Sequence, residues 1–421
     1  MKIKNRNRFN DLLQELTIEI LSRLPCRTIL ISKCVCKSWR GLVESPLFAS
    51  LHSRQAPLSS ARLPTIEFSR AHSFLGFIGD NEMVHKPLKG SILSHSFPNP
   101  YKPFIHSSVN GLLFMVDFDS TFELFICNPI TRVYVRIEMG HECHSNEYAF
   151  GFGVNKSGQY KIVRFHSNWL IPLTCQVYNL GTGQWKSIMV EMLLEFNSQM
   201  RNVPPWVNEN LHWLIFEFVE RDIIPPKIYY LNLETELFNY FSCPLSIQNC
   251  ERSLYYTLSA LGGRLCFTND ESEDVVEIWC MKEYGDDKSW TKDYVIKRKP
   301  YMLTFDDILL SNFKFNTHYD LPKFNIQGDL HYIEEYLDSP LIIEIQKHDH
   351  NMLYPVKAFE DGGVLLALHT SARLFYYSNE TKAIQEIKKE NDYGDSNLVI
   401  YCPNFVSLKS LVMENMRVES F

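Results

Sequence analysis

The 421-residue sequence lacks the features that mark membrane-spanning and secreted proteins. No apolar run approaches the roughly 18 residues that a helix needs to span a bilayer. The start of the chain, MKIKNRNRFN, lacks the apolar segment of a secretory signal. The eleven cysteines are odd in number and lie singly, apart from Cys34 and Cys36. We therefore expect a soluble protein with reduced thiols in the cytoplasm or the nucleus, and no membrane partner.

An excess of positive charge is also missing, because 49 acidic residues outnumber 42 basic ones and give a formal net charge of -7. Such a molecule repels phosphate backbones as a whole, so no nucleic-acid partner is expected. The chain contains no Gly-x-Ser-x-Gly elbow, no Walker A loop and no His-Glu-x-x-His pair. These absences predict a protein that is not an enzyme and uses no cofactor.

The candidate ligand-binding motifs are short and incomplete. GFGVNKSG, residues 151–158, lacks the third glycine and the following helix of a dinucleotide-binding loop, so a strand and a turn are expected. HECHS at 141–145 and HDH at 348–350 are the best metal candidates, but neither shows a third and fourth ligand. Cys34 and Cys36 likewise have no ligands at a recognised zinc spacing. No metal site is predicted.

A helical pattern is present over residues 10–48. Large aliphatic side chains recur at helical spacing on one broad stripe: Leu12, Leu13, Leu16, Ile20, Leu21 and Leu24. Pro25 ends the first helix, CRTILISKC supplies a second, KSWRGLV a third, and Pro46 closes the region. Three short helices cannot bury so many large apolar groups against each other. The pattern predicts a small three-helix unit with apolar surface left for a partner.

After about residue 60 the pattern changes to short β-like runs separated by turns. Turns rich in glycine and asparagine recur at residues 110–111, 157–158, 208–210, 262–263, 327–328 and 361–363. Their spacing averages about 50 residues, which is typical of kelch-like β-propeller blades with four strands each. We expect roughly six to eight blades. Because such rings close with strands from both ends of the domain, the early segments PTIEF and HSFLGFIG should belong to the propeller.

Three motifs of the N-terminal region occur in a fixed order: EILSRLP at 19–25, CVCKSWRGLV at 34–43 and SPLFASLH at 45–52. In order and spacing they resemble an F-box. F-boxes bind a Skp-type adaptor, which attaches them to a cullin–RING ubiquitin ligase. The resemblance implies these adaptor-facing residues: Leu12, Leu13, Leu16, Ile20, Leu21, Leu24, Pro25, Val35 and Trp39. The chain departs from the family at Leu13, where proline is usual, and at Ile31-Ser32, where Arg-Phe is common.

The remainder of the chain contains further characteristic segments, among them VNGLLFM at 109–115, CQVYNLGTGQWKSI at 175–188 and YCPNFVSL at 401–408. With these segments it resembles the F-box-associated domain of the large plant F-box families, whose fold is propeller-like. We therefore predict an α+β multidomain protein with a three-helix F-box at 8–52, a linker at 53–62, an all-β, kelch-like propeller at 63–412 and a C-terminal tail at 413–421.

The two resemblances together imply a non-catalytic, substrate-recognition subunit of a Skp–cullin–F-box ubiquitin ligase. In that family the F-box binds the adaptor, and the C-terminal domain selects a protein substrate for ubiquitination. The sequence does not identify that substrate. Two alternatives remain open, namely an adaptor or scaffold protein outside any ligase and a small-molecule receptor that acts through the propeller.

Overall fold

The structure, a computed structural model, describes residues 14–24, 26–55, 63–68, 73–78, 83–86, 104–117, 123–139, 148–168, 171–190, 203–215, 218–219, 222–223, 226–244, 256–270, 272, 274–297, 352–368, 373–387, 397–401, 404–414 and 416–420. Four helices come first, α1 Gln14–Ser22, α2 Cys26–Ser32, α3 Lys37–Val43 and α4 Pro46–Gln55. A fifth, α5 Leu408–Leu411, lies near the C-terminus, and a short 3-10 helix spans Asp287–Ser289. Within these ranges, no helix has the length and apolar character to span a membrane.

The N-terminal unit has four helices where three were predicted, because Pro46 begins α4 and does not close the region. Proline suits the first helical position, where a backbone N–H has no intrahelical acceptor. Ser45 caps this helix, since its Oγ accepts a hydrogen bond from the backbone N–H of Phe48 at 3.2 Å. The Ser-Pro pair therefore starts a helix at this point.

The remaining described chain is almost entirely β structure, in six sheets of four or five strands and one two-stranded hairpin. Sheet 1 contains β1 Leu63–Phe68, β2 Ser73–Ile78, β3 Met83–Lys86 and β26 Asn397–Ile400. Sheet 2 contains β4 Phe104–Val109, β5 Leu112–Asp117, β6 Glu123–Asn128, β7 Val133–Ile137 and β27 Val418–Ser420. Sheet 3 contains β8 Tyr148–Val154, β9 Tyr160–Asn168, β10 Ile171–Asn179 and β11 Gln184–Ile188.

The second half of the β structure follows the same plan. Sheet 4 contains β12 Trp206–Val207, β13 Asn210–Ile215, β16 Lys227–Asn232 and β17 Phe238–Ser242, and the hairpin is β14 Phe218–Val219 with β15 Asp222–Ile223. Sheet 5 contains β18 Tyr256–Leu261, β19 Arg264–Asn269, β20 Val275–Met281 and β21 Trp290–Lys297. Sheet 6 contains β22 Leu353–Ala358, β23 Val364–Leu368, β24 Leu374–Tyr377 and β25 Ile384–Ile387.

Consecutive sheets contact each other through strands at or next to one edge, as the blades of a β-propeller do. β26 contacts β4, β4 contacts β8, β8 contacts β13, β13 contacts β18, and β18 contacts β22. Neighbouring sheets bury shared apolar cores, for example Phe114 of sheet 2 with Phe152 of sheet 3. Stacking is needed because one such sheet cannot bury both of its faces alone. The β-propeller prediction is confirmed, while the blade count stays a prediction because residues 298–351 lie outside the described ranges.

Both ends of the chain contribute to the propeller. In sheet 1, β26 pairs antiparallel with β1, Val399 opposite Ile66, so a C-terminal strand joins the N-terminal ones. The predicted tail also contains a strand, since β27 pairs with β7 at the edge of sheet 2. The phenol O–H of Tyr134 on β7 donates to the Glu419 carboxylate on β27 at 2.6 Å.

The turns between the first two strands of several sheets lie where the sequence placed them. Asn110 and Gly111 have φ of 48° and 78°, and Gly262 and Gly263 have φ of 59° and 75°. Two consecutive residues with positive φ form the hairpin turn that matches the right-handed twist of its strands. The predicted turn at 327–328 lies outside the described residues.

Gly151 and Gly153 of the GFGVNKSG motif lie on β8 and permit close packing of sheet 4. A Cβ atom at Gly151 would lie 2.9 Å from Leu211 Cδ1, and one at Gly153 would lie 2.6 Å from Leu233 Cδ1. Glycine is needed where another element approaches the backbone this closely. The motif is a strand followed by a turn at Gly158, as predicted.

Candidate functional site

Among the described side chains of the helical unit, six large apolar ones remain exposed although the unit has a core of its own. They are Leu16, Ile20, Leu30, Ile31, Val35 and Leu47. Leu16 and Ile20 belong to α1, Leu47 to α4, and the other three lie in α2 or just after it. Exposed apolar groups at this density are typical of a surface that a partner covers.

The two faces of α1 have different roles. Leu16 and Ile20 lie one turn apart, and each is 51% exposed. Ile18 and Leu21 lie on the opposite side and pack into the helical core with Phe48 of α4. Leu21 is 1% exposed and lies behind the candidate surface, and its predicted contact with the adaptor stays a prediction. Leu12, Leu13 and Pro25 lie outside the described residues.

Leu24 and Trp39 are half-buried, because both pack against the helical core. Trp39 also takes part in capping α3: its backbone N–H donates to the Cys36 Sγ atom at 3.5 Å. Cys36 therefore has the position of an N-cap residue, a role that Ser, Thr, Asp or Asn more often has. Val35, immediately before it, is 58% exposed.

The departure from the family pattern at Ile31-Ser32 has a local explanation. Ser32 is buried, and its hydroxyl donates to the Ile29 carbonyl oxygen of the same helix at 2.7 Å. Ile31 is 59% exposed and adds to the apolar surface that the sequence predicted. Sequence reasoning missed Leu30, Ile31 and Leu47, because their exposure depends on how α2 and α4 pack.

Charged side chains alternate along the chain with the exposed apolar groups of the helical unit. Lys33 pairs with Glu44 at 2.7 Å, and Arg40 donates from Nε to the Lys33 carbonyl oxygen at 3.4 Å. Glu19 and Arg23 form an ion pair on α1. An apolar centre with a polar, charged rim is the usual composition of a protein–protein interface.

The propeller contains a buried polar cluster and a small cavity next to it. His212 Nδ1 lies 3.1 Å from the Pro205 carbonyl oxygen, and Nε2 lies 2.8 Å from the hydroxyl of Tyr284. Burial lowers the pKa of His212 to about 4, so the ring is neutral at pH 7. The cavity of about 20 Å³ is lined by His212, Trp213 and Thr257 among others. It has room for a single water molecule and is far smaller than a typical ligand pocket.

The predicted metal candidates at 141–145 and 348–350 lie outside the described residues. Among the residues that the structure does describe, no group of three or more His, Cys, Asp or Glu side chains is arranged to hold a metal ion.

Comparison with known proteins identifies both regions. Residues 9–51 match the F-box domain, and residues 77–408 match the F-box associated beta propeller domain. An F-box/LRR-repeat protein of Arabidopsis thaliana is 26% identical over 310 residues, which cover 68% of this chain and 67% of that protein. An F-box/kelch-repeat protein of the same plant is 26% identical over 298 residues, covering 66% and 77%. The F-box protein CPR1, also from Arabidopsis thaliana, is 22% identical over 319 residues, covering 68% and 73%. Since the propeller match alone spans well over half of the chain, this protein belongs to the plant F-box proteins with an F-box associated β-propeller domain.

Proposed function

We propose that this chain is the substrate-recognition subunit of a Skp–cullin–F-box ubiquitin ligase. The F-box binds a Skp-type adaptor, and the β-propeller binds a protein substrate. The observation that carries the proposal is the exposed face of α1, with Leu16 and Ile20, on a unit that matches the F-box domain. We propose the cytoplasm or the nucleus as the compartment, on the sequence argument alone.

Burial of these side chains by the adaptor supplies the binding energy in this proposal. Complete burial of one Leu or Ile side chain contributes about 1.5–3 kcal/mol to the free energy of binding. Leu16 and Ile20 are each 51% exposed in the free chain, so each can contribute about half of that amount. Val35 and Ile31 add to this area, and Lys33 and Arg40 lie at the rim. Trp39 is half-buried and packs against the F-box core, so in this proposal it supports the adaptor-binding surface.

The chain contributes proximity to the ligase reaction. A substrate held on the propeller has a high effective concentration near the charged ubiquitin-conjugating enzyme. This advantage requires no acid, base or nucleophile from the substrate-recognition subunit. The family membership and the F-box-first order of the two domains support this non-catalytic role.

The test is capture of purified Skp-type adaptors by the full-length protein and by the double variant Leu16→Asp/Ile20→Asp. Both side chains are exposed, so the variant should fold, while two carboxylates in the interface should weaken adaptor binding at least about 100-fold. Leu237→Asp is the control, because Leu237 is an apolar residue of the propeller that is more exposed than Leu16 or Ile20. Circular dichroism checks that all three proteins are folded.

A folded parent protein that captures no Skp-type adaptor would overturn the proposal, as would equal capture by the double variant. Adaptor capture without ubiquitin transfer in a reconstituted ligase would favour the scaffold alternative.

A further inference from the structure

The C-terminal segment contacts both domains. We call the described residues 404–414 and 416–420 the C-terminal strap. The strap follows β26, the inner strand of sheet 1, and ends with β27 at the outer edge of sheet 2. Between these two strands it passes the F-box.

Phe405 of the strap completes the hydrophobic core of the F-box. Its side chain is 3% exposed and belongs to the same buried cluster as Ile18, Leu21 and Phe48. The rings of Phe405 and Phe48 meet edge to face with centroids 5.7 Å apart. The ring of His52 meets Phe405 in the same manner at 5.2 Å. Such aromatic pairs stabilise an interface beyond the area that they bury.

Asn128 fixes the backbone on both sides of Phe405. Its side-chain N–H groups donate to the carbonyl oxygens of Asn404 at 3.1 Å and Val406 at 2.7 Å. Its side-chain oxygen accepts the backbone N–H of Ile130 at 2.9 Å and of Thr131 at 3.3 Å. The Asn128 side chain is fully buried, so water competes only weakly for its hydrogen bonds. The strap is thus attached to the turn between β6 and β7.

The rest of the strap is anchored in the propeller. Leu408 is fully buried in the core that sheets 2 and 3 share. Beyond it, β27 extends sheet 2 by pairing with β7, Glu419 opposite Tyr134. Phe405 therefore projects into the F-box from a segment that is held firmly on both sides.

We propose that the C-terminal strap is an interdomain clamp that holds the F-box in one orientation on the propeller, with Phe405 as its positioning residue. A covalent linker alone leaves two domains free to change their relative orientation, whereas a shared hydrophobic core does not. The consequence for ubiquitination rests on the proposed function. A fixed F-box sets the direction in which substrate lysines face the conjugating enzyme, and transfer depends strongly on such positioning.

The clamp is tested by distance measurements on the full-length protein. Spin labels are attached to genetically encoded keto amino acids at Ser38 of the F-box and Glu360 of the propeller, both exposed positions, so that the native cysteines stay unchanged. Double electron–electron resonance then gives the distribution of interdomain distances. The parent should give one narrow distribution, and Phe405→Ala should give a distribution at least twice as broad.

Three further variants separate the orientation of the F-box from the stability of the fold. Phe405→Met keeps an apolar side chain of similar length and should restore the narrow distribution. Phe375→Ala removes an equally large, fully buried ring from the core of sheets 5 and 6. It should lower the melting temperature but leave the distances unchanged. Asn128→Ala keeps Phe405 and removes the bonds that hold the strap, and it should also broaden the distribution, so the test survives if Phe405→Ala fails to fold.

A parent-like distribution in folded Phe405→Ala and Asn128→Ala proteins would overturn the clamp, whatever the result of adaptor capture. Conversely, a parent that captures no adaptor defeats the proposed function but leaves the distance result standing. Where both hold, Phe405→Ala should still capture the adaptor, because Leu16 and Ile20 are unchanged. Mass spectrometry of the self-ubiquitinated chain should then show a wider set of modified lysines than in the parent.

Discussion

At the scale of single residues, buried polar side chains join parts of the molecule that are distant in sequence. Lys161 of sheet 3 is almost fully buried, and its ammonium group donates to the Leu233 carbonyl oxygen at 2.6 Å and to Glu236 at 2.8 Å. Asn128 has a similar role at the strap. A buried polar group is tolerated only where its hydrogen bonds are made, so these residues specify how their elements meet.

His212 should make the stability of the propeller depend on pH. Burial lowers its pKa from 6.5 to about 4, so the unfolded chain binds a proton between these values and the folded chain does not. The contribution of His212 to the free energy of unfolding is therefore fully present above about pH 6.5 and decreases as the pH is lowered. Below about pH 4 the protein has lost about 3 kcal/mol of stability from this group.

Urea denaturation of the parent and of His212→Gln at pH 7.0, 5.5 and 4.5 measures this effect. The variant should be less stable at pH 7, because the bonds to Pro205 and Tyr284 are disturbed, and the difference should narrow as the pH falls. His106, whose pKa burial also lowers to about 4, remains in both proteins, so some pH dependence should persist. Identical pH dependence in the two proteins would contradict the assignment.

At the scale of elements, glycines and helix-capping residues have roles that depend on the side chains packed around them. Gly41 on α3 has open space around it, whereas Gly153 on β8 lies against Leu233 and Trp206 of sheet 4. Cys36 begins α3 by accepting the Trp39 N–H, and Ser45 begins α4. The sequence shows which residue stands at each position, but only the tertiary structure shows which neighbouring side chains contact it.

Alanine substitutions at two glycines should change stability in opposite directions. Gly153→Ala places a methyl group where sheet 4 packs and should lower the free energy of unfolding by about 1–3 kcal/mol. Gly41→Ala removes a flexible residue from an exposed helix position and should raise helix stability by up to about 1 kcal/mol. Thermal unfolding followed by circular dichroism compares them. If Gly153→Ala left the free energy of unfolding unchanged, sheets 3 and 4 could move apart without loss of stability, and the prediction would be wrong.

At the scale of the whole molecule, strands from both halves of the chain meet in sheet 1, and C-terminal residues connect the propeller to the F-box. Sheet 1 combines N-terminal strands with β26, while β27 covers the outer edge of sheet 2. Covering an edge strand also removes a site for pairing with other chains. The C-terminal residues therefore contribute to closure, edge protection and F-box packing at once.

Two truncations separate these contributions. A chain ending at residue 412 loses β27 but keeps β26, Phe405 and Leu408, so it should remain folded with a lower melting temperature. A chain ending at residue 396 also loses the inner strand of sheet 1, so it should show no cooperative thermal transition, because the ring is open. Size-exclusion chromatography and circular dichroism report both results. Parent-like melting of the shorter chain would show that β26 is not needed for closure.

The sequence by itself determined the features that depend on local patterns. Helical spacing located the F-box, turn chemistry located hairpins such as Asn110-Gly111, and motif order gave the family. It did not show which residues of the apolar stripe face outward, because core and partner surfaces both require apolar side chains. Only the tertiary structure separated Leu16 and Ile20 from Leu21.

The tertiary structure also decided the role of the C-terminus. YCPNFVSL matched the family as a segment, but nothing local indicates that Phe405 enters the F-box core or that residues 418–420 form a strand. Such contacts join residues that are far apart in the chain, and their stability comes from area buried between domains and not from the preference of any short segment. For that reason periodicity and turn residues predicted the parts, and only the fold showed how the F-box and the propeller are held together.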